Sequence, residues 1–144
     1  MSLARLREFA AVQFRRIQDG VYDLKFGGST GTYVSTRFAH LGAYDSGTAS
    51  YFILLNVFNG KIRPDDVIVD VGCGFGRAIN TLLWMNCKNR IVGLELDPEI
   101  AESSRKRLRR FDNVEIVTGN ALDHLPADGT VFWIFNSFDE AVVR

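Results

Sequence analysis

The 144-residue chain holds only two cysteines and two histidines, and it has no excess charge of either sign, because 17 acidic residues match its 17 basic ones. Two cysteines, Cys73 and Cys87, are too few for a disulfide framework and read as free thiols. His40 and His124 lie far from each other in sequence and form no close cluster with the cysteines, so no metal site is expected. Neutrality argues against a constitutive nucleic-acid binder, whose electrostatic footprint would be a basic excess. No run approaches the roughly 18 to 20 apolar residues of a membrane span, and the first residues lack the apolar core of a signal peptide. These absences leave a chain expected to be cytoplasmic and away from membranes. With 47% hydrophobic residues it can build the core of one domain that acts on a small molecule or a protein.

What is present centres on Val67-Ile68-Val69-Asp70-Val71-Gly72-Cys73-Gly74-Phe75-Gly76-Arg77. A short β-branched run reads as a strand buried on both faces, three glycines follow at alternate positions, and an apolar helical pattern resumes from Ala78. Such a turn lets a ligand lie directly on the backbone. A dinucleotide site would carry its third glycine at Arg77, whereas this chain has G-x-G-x-G. Asp70 also has the wrong charge for a phosphate-rich ligand. It suits one that carries an ammonium and a sulfonium, which is S-adenosylmethionine.

The segment from Asp70 to Gly76 resembles the first motif of class I S-adenosylmethionine-dependent methyltransferases. Three further elements follow in the family's order: Arg90-Ile-Val-Gly-Leu-Glu95-Leu-Asp97-Pro98-Glu99, then Asn113-Val-Glu-Ile-Val-Thr-Gly-Asn120-Ala-Leu-Asp123, then Val131-Phe-Trp-Ile-Phe-Asn136-Ser-Phe138. The resemblance implies an α/β, Rossmann-like sheet, mostly parallel, in strand order 3-2-1-4, with helices on both faces and an N-terminal helical extension. It also implies cofactor contacts from Asp70, Gly72, Cys73, Gly74, Gly76, Glu95, Leu96, Asn120, Ala121 and Asn136, with Tyr44 and Thr48 beside the methionine end. Asn136 and Phe138 stand where relatives carry their substrate-facing motif. Glu95 is preferred over Asp97 for the ribose hydroxyls, since Asp97 reads equally as a helix cap before Pro98. Asn120 reads either as an adenine contact or as a turn residue after Gly119, and Tyr44 either as a cofactor contact or as a packed aromatic.

Around this core, residues 3–19 place Leu3, Leu6, Phe9, Ala10, Phe14 and Ile17 on one stripe of a helix that Asp19-Gly20 should end. The stripe is expected to pack on the domain or on a second copy of the chain. Residues 21–43 read as a long loop, with a short strand at 32–35, placed to act as a lid. Ser46 is the expected N-cap of a largely buried helix that Asn59-Gly60 stops. Arg105, Lys106, Arg107, Arg109 and Arg110 read as a solvated helix face. The organisation expected is one structural domain, with N-terminal helices and a lid loop at 1–60 and a cofactor-binding core at 61–144.

Only four strands of the family's seven can be counted. The expectation is therefore that C-terminal strands are absent from this chain, or that the Val131 strand, bearing Phe132, Trp133 and Phe135, forms an edge that drives self-association. Methyl transfer to an N or O nucleophile is the activity implied, with Asp123, His124 and Asp139 as candidate proton acceptors. The alternatives are a catalytically idle cofactor-binding or interaction module, an aminopropyl transferase and a nicotinamide-dependent oxidoreductase. Asp139 and Glu140 are too small an acidic cluster for the second of these, and Asp70 with the glycine spacing disfavours the third.

Overall fold

A strand without polar alternation must have both faces covered, and β1 (Ile68–Val71) is buried at all four positions. In this computed structural model, which describes residues 2–45 and 47–138, β1 pairs in parallel with β2 (Ile91–Glu95) on one side and β4 (Val131–Ile134) on the other. β3 (Val114–Thr118) pairs in parallel beyond β2, giving the order β3-β2-β1-β4 that the motif order implied. Val71 stands beside Leu94 and Ile134, so the carboxyl ends of β1, β2 and β4 open onto one edge.

Helices α2 (Tyr51–Phe58), α3 (Arg77–Trp84), α4 (Pro98–Leu108) and the short α5 (Ala121–His124) surround the sheet. Ile68, Ile79, Leu82, Ile91, Ala101 and Leu108 form a core with almost no solvent contact. Gly93 sits in mid-strand because the core leaves no room there. A Cβ would lie 2.7 Å from Ile116, 2.8 Å from Ile79 and 2.9 Å from Cys73 Sγ.

The N-terminal segment departs from several expectations. Helix α1 (Leu3–Lys25) continues through Gly20, because Asp19 and Asp23 are held by tertiary partners that fix the additional turns. Its apolar stripe does not pack on the described residues: Leu3, Phe14 and Ile17 are each 67% exposed, and the helix attaches through the edge bearing Asp19, Tyr22 and Asp23. Ser46 lies outside the described residues, and Ser50 caps α2 through its hydroxyl, which accepts from the Ile53 amide at 3.4 Å. Only one face of α2 is buried, by Tyr51, Leu54 and Phe58, while Phe52 and Ile53 face solvent. Residues 32–35 form no strand, and Val34 alone makes an isolated bridge.

On β4 and just after it, Phe132 and Phe135 are exposed as expected and Ile134 is exposed too, but Trp133 packs edge-on against Phe58. Among the described residues no helix is long and apolar enough to cross a membrane, and no group of three or more His, Cys, Asp or Glu side chains could hold a metal ion.

Replacing Gly93 by Ala forces three core side chains apart. It is expected to cost about 1–3 kcal/mol in urea unfolding, the scale of an overpacked core. Wild-type stability in Gly93→Ala would mean that the β2–α3 packing is looser than described.

Candidate functional site

The turn from β1 into α3 is fixed almost entirely by groups from other elements. The amides of Gly72 and Cys73 both donate to the Leu94 carbonyl, at 2.8 and 2.9 Å, which carries the chain across the end of β2. Ser104 of α4 donates to the Gly74 carbonyl at 2.8 Å, and Arg107 to the Phe75 carbonyl at 2.5 Å. Gly72 has φ of 73°, and a Cβ there would meet the Ser137 hydroxyl at 2.6 Å. Ser137 donates that hydroxyl to the Val71 carbonyl at 2.6 Å, locking the segment after β4 onto the turn.

Three carboxylates gather at this edge, and each has a different environment. Glu95, at the tip of β2, accepts from the Gly74 amide at 2.7 Å and the Asp97 amide at 2.9 Å. Burial nonetheless raises its pKa, and the residue lines the cleft that opens at this edge. Asp97 caps α4 by accepting from the Glu99 and Ile100 amides and pairs with Arg37 at 3.0 Å, the capping role weighed for it from sequence. Asp70 is 4% exposed and, among the described residues, accepts no side-chain hydrogen bond. Burial first, and then the charge of Glu95, push its pKa up to about 7.

Glu95 and Asp97 line a cleft of about 830 Å³, counting its open mouth, above the ends of β1, β2 and β4. Glu95, Leu96, Asn120 and Ala121 form one end, and Tyr44, Asn136 and Phe138 the other. A smaller cavity of about 390 Å³, also open to solvent, adjoins it through Gly72 and Gly74 and contains Asp70, Thr48 and Cys73. The loop before α2 supplies a wall, since Tyr44 donates its amide to the Ser137 carbonyl at 3.3 Å and Ala43 bridges Phe138. Arg37 of the same loop ties it to Asp97 and Glu99 across the cleft.

Of the expected residues, Gly72, Gly74, Glu95, Leu96, Asn120, Ala121, Asn136, Phe138 and Tyr44 line the cleft and Asp70, Thr48 and Cys73 the smaller cavity, whereas Gly76 lines neither, and a Cβ on it would meet Arg107 and Leu108. Cys73 directs its side chain into the core against Gly93, so only its backbone is available to a ligand. The Asn120 side-chain oxygen caps α5 by accepting from the Leu122 amide at 3.0 Å, the turn role weighed for it, while the residue still lines the cleft. Asn136 adopts a left-handed φ of 51°, and Tyr44 is 49% exposed rather than packed. His124 turns back onto its own helix, with Nδ1 3.1 Å from the Asn120 carbonyl oxygen, and neither it nor Asp123 lines the cleft. Asp139 and Glu140 lie outside the described residues.

Sequence reasoning missed Arg77, Arg107, Arg37 and Ser137. Arg107 is no part of a solvated face: it turns inward to the carbonyls of Phe26 and Phe75 and to Asn80. Two aspartates one helical turn apart, with a lone arginine after the glycines, were the only available signal for Arg77.

A parallel sheet with a glycine turn at its central strand, and acids at the strand ends, defines a nucleoside-binding α/β domain. The model of a methyltransferase domain matches residues 68–142, just over half of the chain. The chain belongs to the class I S-adenosylmethionine-dependent methyltransferase family, whose cofactor is S-adenosylmethionine. Among curated relatives, it is 36% identical over 64 residues to a ribosomal protein L11 methyltransferase of Clostridium botulinum, covering 43% of this chain and 20% of that one. It is 35% identical over 66 residues to a probable cobalt-precorrin-6B C(15)-methyltransferase (decarboxylating) of Archaeoglobus fulgidus, covering 44% and 38%. The chain thus spans less than half the length of either relative. Among solved structures, an RNA methyltransferase of Salinibacter ruber in complex with S-adenosyl-L-homocysteine is 27% identical, with a TM-score of 0.47 over 57% of this chain and 54% of that one.

Asp70 gives the cleft a measurable pH signature. Its folded pKa of about 7 lies above the ordinary carboxylate value, so the folded chain holds a proton that the unfolded chain releases between about pH 4 and 7. Stability is therefore expected to fall as pH rises through that window, by on the order of 4 kcal/mol in total, and to level off above it. Asp70→Asn should remove this dependence and be the more stable form at pH 8, as read by urea unfolding at pH 5 and pH 8. Parallel pH profiles for the two proteins would contradict the assignment.

Proposed function

We propose that the chain binds S-adenosylmethionine across the β1 and β2 ends and takes part in methyl transfer to an N or O nucleophile. The observation that carries the reading is Asp70, a buried carboxylate in the smaller cavity that adjoins the cleft, with no hydrogen-bond partner among the described residues. Such a group is stabilised by a cation, and the cofactor brings two in its ammonium and sulfonium. The cleft's volume suits a nucleoside with an amino-acid tail.

When bound, the cofactor supplies an electrophilic methyl group whose transfer depends chiefly on alignment. Glu95 accepts the ribose hydroxyls on its free lone pairs, and the amides of Gly74 and Asp97 hold the carboxylate in place for this. Leu96, Asn120 and Ala121 face the base; the Asn120 side-chain amide is a donor, since its oxygen caps α5. Asp70 faces the cationic end beside the Gly72, Cys73 and Gly74 backbone, with Gly76 closing the turn and Thr48 and Tyr44 opposite. Asn136 and Phe138 line the mouth where an acceptor enters, Asn136 holding its N–H or O–H and Phe138 excluding water. Net neutrality supports a small-molecule or protein acceptor. The outward apolar stripe of α1 and the outer side of β4, unpaired among the described residues, support self-association.

Calorimetric titration tests the reading. S-adenosylhomocysteine is expected to bind and NAD not to bind. Glu95→Ala should weaken binding by about 1.5–3 kcal/mol, the scale of hydrogen bonds to a charged group, while the chain stays folded by circular dichroism. Equal affinity for NAD, or unchanged binding by a folded Glu95→Ala variant, would contradict it.

A further inference from the structure

One buried side chain that the proposed function does not use ties α1 and the loop after it to the start of α3. Arg77 opens α3 directly after the glycine turn and is 8% exposed. Its Nη1 lies 3.2 Å from Asp19, its Nη2 lies 3.2 Å from Asp23, and its Nε donates to the Thr30 hydroxyl at 2.8 Å. Asp23 also accepts from the Thr30 amide at 3.0 Å and from the Tyr51 hydroxyl at 2.7 Å. Tyr51 in turn accepts from Asn80 at 2.9 Å, and Asn80 accepts from Arg107 at 2.8 Å. Arg107 donates to Phe26 and to Phe75 in the glycine turn, so the contacts leave the turn at Arg77 and return to it through Arg107.

Two observations connect this network to the cleft. Thr30, Ala49 and Arg77 line the smaller cavity together with Asp70, so the network's members face the proposed cationic end of the cofactor. Gly31 packs directly on the guanidinium, since a Cβ there would stand 2.5 Å from Nη2. All of the partners from α1, the loop and α2 precede residue 68, where the family match begins. We infer that Arg77 is a positioning residue for the cofactor: through Asp19 and Asp23 it holds residues 30–31 and 47–49 against the methionine end, making the N-terminal segment a wall of the cofactor site. The inference rests on the S-adenosylmethionine reading above. An arginine suits the task because its planar fork reaches two carboxylates and a hydroxyl at once, which an ammonium does not. Coupling of this kind is reciprocal, so the cofactor should order the same segment that helps to bind it.

The test is titration of S-adenosylhomocysteine into the whole chain and into Arg77→Gln, Arg77→Lys, Asp19→Asn and Val114→Ala, each at a temperature where it is folded. Val114, partly buried at the opposite end of the sheet, controls for loss of stability alone. Arg77→Gln is expected to weaken binding at least about tenfold, Asp19→Asn about three- to tenfold, Arg77→Lys by less than Arg77→Gln, and Val114→Ala by less than about twofold. In hydrogen exchange, the ligand should slow the amides of residues 23–31 and 47–51 in the wild type and not in Arg77→Gln. Affinities of Arg77→Gln and Asp19→Asn within about twofold of wild type would overturn the inference. Should Arg77→Gln fail to fold, Asp19→Asn decides by the same threshold, because Asp19 is the more exposed of the two acids. A wild-type chain that binds no S-adenosylhomocysteine contradicts the functional reading instead. The positioning role is then decided on the unliganded chain, where Arg77→Lys must speed exchange at residues 72–78 and unchanged exchange overturns it.

Discussion

The ion cluster of Arg77 with Asp19 and Asp23 is the constraint on which the rest of the arrangement depends. A buried guanidinium without partners is ruled out by its desolvation cost, so a chain that places Arg77 at the start of α3 must bring acids to it. The acids come from α1, and with them come the loop before α2 and the capping of Tyr51, whose amide donates to Asp19 at 3.1 Å. Removing one partner from such a cluster costs about 3–5 kcal/mol, because the other charge is left buried and unpaired. That dependence explains why α1 docks by its polar edge and leaves its leucines and phenylalanines outside: the charges could not be left in the interior alone.

The same logic, applied in reverse, shapes the cleft. Glu95 is satisfied by two amides and Asp97 by two amides and an arginine, whereas Asp70, the most deeply buried of the three, accepts no hydrogen bond among the described residues. Unpaired, it drifts toward the neutral form near pH 7. Paired with a ligand cation, it returns to the charged form. An anionic ligand such as a dinucleotide pyrophosphate would meet the buried carboxylate of Asp70 and the half-buried one of Glu95 beside the turn, so charge selects the ligand class before shape does. The turn itself contributes rigidity, being held by Leu94, Glu95, Ser104 and Arg107 from two other elements.

Much of this was legible in the sequence where local signals and burial agree. The β-branched run, the alternate glycines, and Asp97 with Pro98 each specify one local geometry, and the order of the four strand motifs carried the sheet order. Where the reading failed, the deciding interactions were long-range. Amphipathic spacing shows that α1 has an apolar stripe, but it does not show which edge docks when buried aspartates compete for that position. Gly20 looked like a helix end because helix propensity is a weak prior, and Asp23 one turn later overrode it. Arg107 was hidden among five basic residues whose spacing did not distinguish the one that turns inward. Ser46 was the expected cap of α2, but Ser50 takes that place, next to Tyr51, whose amide donates to Asp19.

The central claim is that a charge-matched cleft at the ends of β1 and β2 holds S-adenosylmethionine, with the N-terminal segment as one wall. A crystal structure of the chain with S-adenosylhomocysteine tests it most directly. The account predicts ribose hydroxyls at hydrogen-bond distance, about 2.6–3.2 Å, from Glu95, with the ligand's ammonium in the cavity of Asp70, Thr30 and Thr48. A ligand bound elsewhere, or one whose amino-acid end lies away from Asp70 and the N-terminal loop, would contradict it.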